Sequence, residues 1–140
     1  MRKSKVDRKV AAQEVGQWLD YRKISERKRA KNPEILEANI DSVEDGFLCF
    51  DHTKKEAIYT LNHPIEDKNG AVIHDKLTLK SRINMSEYNQ AFNSFSKSTE
   101  EGIARTLSYI SAATGISVNL LILLESSDFN DLQNLVFYFL

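Results

Sequence analysis

Apolar positions in this chain change period twice, from 3.6 residues to two and back again. From Val6 to about Ile24, Ala11, Val15, Trp18, Leu19 and the stem of Arg22 share one side of a helical wheel, with Gln13, Gln17 and Asp20 opposite. That spacing predicts an amphipathic helix. A basic link, "ISERKRAKNP", follows. Asn32, Pro33 and Glu34 then predict a new helix start: a capping side chain, a proline in the first turn and an acid at the positive dipole end. Leu36, Ile40 and Val43 carry that helix to Gly46, which ends it.

The middle third reads as strands. "GFLCFD" and "EAIYTLN" are separated by the turn-like "HTKK", and "EDKNG" leads into "AVIHDKLTLKSRI". Asn69-Gly70 supplies the positive φ of a tight hairpin. In "KLTLKSRI" the period is two, so Leu77, Leu79 and Ile83 point one way and Lys76, Thr78, Lys80 and Arg82 the other. One covered and one wet face predict an antiparallel meander of three strands with helices on its apolar side.

The last third is helical. Tyr88, Phe92 and Phe95 share a stripe, and "STEE" at Ser98 to Glu101 has the form of a capping box before Ile103, Leu107 and Ile110. Gly115 closes that helix and Ser117 caps the next. The run from Val118 to Leu124 is apolar on every side, which predicts burial all round, by its own fold or by a partner. A final helix starts at Ser127 or Asp128, with Phe129, Leu132, Val136 and Phe139 on its stripe and Phe137 and Tyr138 off it. The fold class is therefore α+β: a small three-stranded antiparallel meander covered by helices. Residues 1–45 form a basic N-terminal helical extension and residues 46–140 the α+β body.

Composition narrows the function. The 140 residues are 41% hydrophobic and 28% charged, which fits one folded domain. The lone cysteine, Cys49, closes no intrachain disulfide, no basic-then-apolar leader opens the chain, and the longest apolar run is far short of a membrane span, so a reducing interior without a membrane is expected. The net charge of −1 is split: residues 1–31 carry eleven Lys and Arg against four Asp and Glu, the remainder eight against sixteen. Such a split serves a basic arm for nucleic acid, or steers copies together, basic end against acidic body.

Candidate chemistry is sparse. Cys49, His52, His63 and His74 are ligand types for zinc, but their spacing fits no finger, and Cys49 sits in apolar "FLCF" as a buried thiol does. No nucleophile elbow or glycine-rich phosphate loop is present. Glu100/Glu101 and Asp128/Asp131 stand where helix N-termini favour acids. Neither catalysis nor a cofactor is expected. A basic patch of Arg22, Lys23, Arg27, Lys28, Arg29 and Lys31 is the candidate for nucleic acid, although Trp18 beside it belongs to the core stripe rather than to a stacking surface.

From Ala57 onward the order of features is distinctive: "YTLNHPI", a polar turn with glycine, "LTLKSR", two helices, "ATGIS", a short apolar helix, then "DFNDLQNLVFYFL". This order resembles the tail assembly chaperones of long-tailed bacteriophages over about the last 85 residues. Leu61, Pro64 and Ile65, the paired Leu77 and Leu79, Gly115 with Ile116, and Asp128 with Val136 and Phe139 carry the match. The chain departs from the family after "LTLK", where it runs "SRINMSEY". The resemblance implies a non-enzymatic chaperone in the host cytoplasm, absent from the mature virion. It would keep the hydrophobic, helical tape-measure protein soluble and help recruit tail-tube subunits. A surface for apolar helices must come from residues left over after the core is built. The candidates are Leu120, Leu123, Phe137 and Tyr138, with burial by internal packing or by a homodimer as the alternative. Nucleic-acid binding and a structural virion or connector role are the competing functions.

Overall fold

Side-chain caps and proline set most of the helix starts. A computed structural model describes residues 6–139. Asp7 accepts from the amide of Lys9 to open α1 (Arg8–Tyr21), Ser25 accepts from that of Lys28 to open α2 (Glu26–Lys31), and Pro33 begins α3 (Pro33–Glu44). The basic link is thus a helix in its own right. Asn32 makes no side-chain cap on α3; its amide turns back toward the Lys28 carbonyl.

Three strands follow, β1 (Leu48–Asp51), β2 (Glu56–Glu66) and β3 (Val72–Lys80), in the order β1-β2-β3 and antiparallel throughout, so the α+β expectation holds. Leu77 and Leu79 are buried and Lys76, Thr78 and Lys80 exposed, as the two-residue period requires. Gly70, at φ +82°, turns the β2–β3 hairpin, and the Asp67 carboxylate accepts from the amides of Asn69 and Ala71.

The sheet carries one large irregularity. Thr60 pairs with Lys76 and Ile65 with His74, so Leu61 to Pro64 stand opposite Asp75 alone. The extra residues bulge out of the ladder, and their amides, which Pro64 lacks, need acceptors elsewhere.

Four helices complete the chain: α4 (Met85–Asn93), α5 (Glu101–Thr114), α6 (Val118–Leu121) and α7 (Ser126–Val136), followed by a 3-10 turn at Phe137–Phe139. The segment "SRINMSEY" supplies a reciprocal capping box, with Asn84 and Glu87 each accepting from the other's backbone amide. Gly115, at φ +78°, ends α5, and Ser117 caps α6.

Helix α5 lies over β3, α7 over β2, and α1 against both α3 and β1. Ala11, Val15, Trp18, Leu19, Ile40 and Val43 from the N-terminal helices join Tyr59, Leu77, Leu79, Leu107 and Leu132 in one continuous core. The described part of the N-terminal extension, from residue 6 on, is therefore part of the packed body.

Candidate partner-binding groove

The apolar run from Val118 to Leu124 departs from its expected burial. Helix α6 stops at Leu121 because the next helix claims the chain: Glu125 is extended, at φ −72° and ψ 150°, and its carboxylate accepts from the Ser127 amide to cap α7. Val118 and Leu121 point inward. Ile122 and Leu123 fall on the corner between two helices and stay exposed, at 49% and 57%.

That corner is one lip of an open groove of about 430 Å3. Ile103 and Leu107 of α5, Leu121 of α6, Phe129 of α7, and Ile122 and Leu124 between them form its apolar wall, with Ser98, Thr99 and Ser126 at the margin. The volume lies within the range of pockets that hold several apolar groups. Ile103 is 41% exposed, whereas Leu107 and Ile110 further along α5 are buried. The reason is the cap: Glu100, not Ser98, opens α5, accepting from the amides of Gly102 and Ile103, so Ile103 lies in the first turn with no earlier turn to pack against.

Both capping glutamates adjoin groove residues along the chain, Glu100 after Thr99 and Glu125 between Leu124 and Ser126. Hydrogen bonds from the Gly102 and Ile103 amides hold the Glu100 carboxyl below its ordinary range, and those from the Ser127 hydroxyl and amide do the same for Glu125. An apolar groove whose residues adjoin fixed negative charge suits an amphipathic helix whose apolar stripe is flanked by lysine or arginine.

Behind the groove, α7 is anchored through Asp128, which is fully buried. Its carboxylate accepts from the Asn62 amide at 2.9 Å, the His63 amide at 3.0 Å and the Tyr59 hydroxyl at 2.9 Å. Asp128 thus satisfies the amides that the β2 bulge removes from the ladder, a role beyond the helix-end charge read from sequence. Tyr59 also reaches Asp131 at 2.7 Å. One phenol hydrogen cannot serve both carboxylates at full strength, and burial, together with the nearby Asp128 charge, raises the Asp131 pKa.

The four partner-binding candidates separate. Leu123 is exposed between two groove residues, Ile122 and Leu124, but does not itself line the groove, and Leu120 is half-buried. Phe137 is half-buried in a different cleft, beside Ile35 and Tyr109, with the Lys28 ammonium 6.0 Å from its ring centre. Tyr138 is a correction: at 1% exposure it belongs to the core. On a 3.6-residue wheel it leaves the stripe, but the last turn tightens to 3-10 and Tyr138 joins the same core cluster as Leu135. The Phe139 side chain and all of Leu140 lie outside the described residues.

The basic patch separates too. Arg22 donates to the carbonyls of Ser81, at 2.6 Å, and Tyr138, at 2.8 Å, tying α1 to the chain beyond β3 and to the final turn. Arg29 bonds the Ile24 carbonyl and Asp20. Lys23, Arg27 and Lys31 are exposed. The zinc-type residues are not brought together: His52 pairs with Glu14, His63 lies 3.8 Å from Glu125, and no group of three or more metal-type side chains forms among the described residues. No described helix is long and apolar enough to cross a membrane.

No protein-family model matches the chain, and neither a curated protein nor a solved structure does.

Proposed function

We propose that this protein is a non-enzymatic tail assembly chaperone of a long-tailed bacteriophage, one that holds apolar helical segments of the tape-measure protein during assembly. The observation that carries the proposal is the open groove between α5, α6 and α7, with Ile103 and Ile122 exposed in its wall. Apolar side chains in a groove of this kind gain by covering one another only when a second chain supplies the cover. The glutamates adjoining its residues favour a client helix with basic flanks. Work in the host cytoplasm, release before the virion is finished, contact with tail-tube subunits and self-association along the client belong to the same proposal. The resemblance in element order from Ala57 onward supports it.

Co-expression with the tape-measure protein is the test. The client is expected to move into the soluble fraction and to co-purify with this chain. A client that stays insoluble beside it defeats the proposal, and recovery of this chain from purified particles favours a virion component instead.

A further inference from the structure

A second pocket, of about 340 Å3, lies where the end of α1, the β1–β2 turn and the end of β3 meet. Lys54 and Lys55 enter it from the turn, Lys80 and Arg82 from the end of β3 and the segment after it, and the Tyr21 ring forms part of its wall. Glu56 is the only carboxylate lining it. Lys80 is paired with Glu87 just outside, whereas Lys54 and Arg82 have no acidic partner among the described residues. The pocket therefore carries positive charge that the fold does not neutralise.

The turn presents these cations in a fixed geometry. The Asp51 carboxylate accepts from the amides of Thr53 and Lys54, at 3.1 and 3.0 Å, and the Lys55 ammonium sits 5.6 Å from the Tyr21 ring centre. Lys55 is left-handed at φ +56°, and the only other non-glycine residue with positive φ among those described is Lys23, at +57°. Glycine would relieve that steric cost, yet lysine occupies both positions. On the far side, Arg22 fixes the segment that bears Arg82 by donating to the Ser81 carbonyl.

We propose that this pocket binds a phosphate group, carried either by a small phosphate ester or by the backbone of a nucleic acid strand. Cations converge from separate segments, which suits an oxyanion with acceptors on every side better than a planar carboxylate. Lysine ammoniums act there as point charges and Arg82 as a forked donor. Lys55 occupies the Tyr21 ring, so recognition is of the phosphate and not of a base. None of these residues lines the apolar groove, so the site operates independently of the client-binding proposal.

The test titrates the full-length, isotopically labelled chain at low salt with sodium pyrophosphate, with a single-stranded oligonucleotide, and with poly-glutamate. Pyrophosphate is expected to shift the amides of residues 53–56 and 81–82. Lys54→Ala with Arg82→Ala is expected to weaken binding about tenfold and, for the oligonucleotide, to reduce the log–log salt slope by roughly 1.4. Lys55→Gly is expected to leave the melting temperature unchanged or higher while weakening binding, which separates a ligand-facing role from a folding role. Saturation by pyrophosphate with no oligonucleotide binding identifies a small ester as the source. Tighter oligonucleotide binding at the same amides identifies the strand. Silence of those amides, equal binding of poly-glutamate, or binding that survives the double substitution overturns the proposal.

Discussion

Replacing Asp128 with alanine removes the acceptor that closes the β2 bulge. Three contacts of 2.9 to 3.0 Å disappear together: two backbone amides from Asn62 and His63, and the hydroxyl of Tyr59, itself 1% exposed. A hydrogen bond to a charged group contributes about 1.5–3 kcal/mol, and a buried donor left without an acceptor costs about 1–3 kcal/mol. The contacts share one carboxylate and do not add, and Asn62 and His63 are exposed residues whose freed amides gain water. Tyr59 keeps Asp131 as an acceptor at 2.7 Å, so the expected loss is about 2–4 kcal/mol, set by the exchange of charged-acceptor contacts for water at the two amides. Against the 5–15 kcal/mol typical of a domain, that is a large share of the total, on the order of a third. Urea unfolding followed by circular dichroism and by fluorescence of buried Trp18 measures it. Amide exchange adds a local readout, since Asn62 and His63 should lose protection ahead of Ala57 and Tyr59 on the same strand. A loss below about 1 kcal/mol, or unchanged protection at Asn62 and His63, refutes the assigned role of Asp128. Because Asp128 also fixes α7, the same substitution should loosen the groove wall that contains Phe129.

Two further predictions concern groups around the same helix. The Asp131 carboxyl has a raised pKa in the folded state, so its stabilising contribution is full below its ordinary value of 3.8 and is lost as pH rises through the folded value. Asp131→Asn, whose amide donates to the Tyr59 oxygen without titrating, is expected to raise the urea midpoint at pH 7, with the gain shrinking toward pH 3.8; a pH-independent difference contradicts the assignment. The Tyr138 hydroxyl is buried without a hydrogen-bond partner among the described residues, so Tyr138→Phe should leave stability unchanged or raise it by about 1 kcal/mol, and should leave client binding intact. A substantial loss in urea unfolding would point to an unseen partner for that oxygen.

Local chemistry made much of the fold legible. The alternation around Leu77 and Leu79, the Asn69-Gly70 turn, and Gly115 followed by Ser117 each depend on neighbours within a few residues, and all appear as expected. Helix α2 was hidden because its basic residues favour helix without forming an apolar stripe. The Asp128 hub was hidden for a different reason: its partners are more than sixty residues away, and an acid in the first turn of a helix already has a local explanation. Tyr138 was misplaced because a wheel drawn at 3.6 residues per turn fails when the last turn tightens to 3-10. The groove was legible in part. The apolar run pointed to Leu123, which sits between groove residues without lining the groove; the groove's lip exists because Glu125 starts a new helix early, and its far wall because Glu100 caps α5.

The most direct test of the groove's role is affinity for an apolar helical peptide from the tape-measure protein, measured by fluorescence anisotropy with the native chain and with Ile103→Asp and Ile122→Asp, both in the groove wall. Both side chains are already exposed, so neither substitution threatens folding. Covering the exposed half of a leucine-sized side chain contributes about 0.8–1.5 kcal/mol, so each variant should bind about four- to tenfold more weakly. Undiminished binding with aspartate in the groove wall would contradict the account.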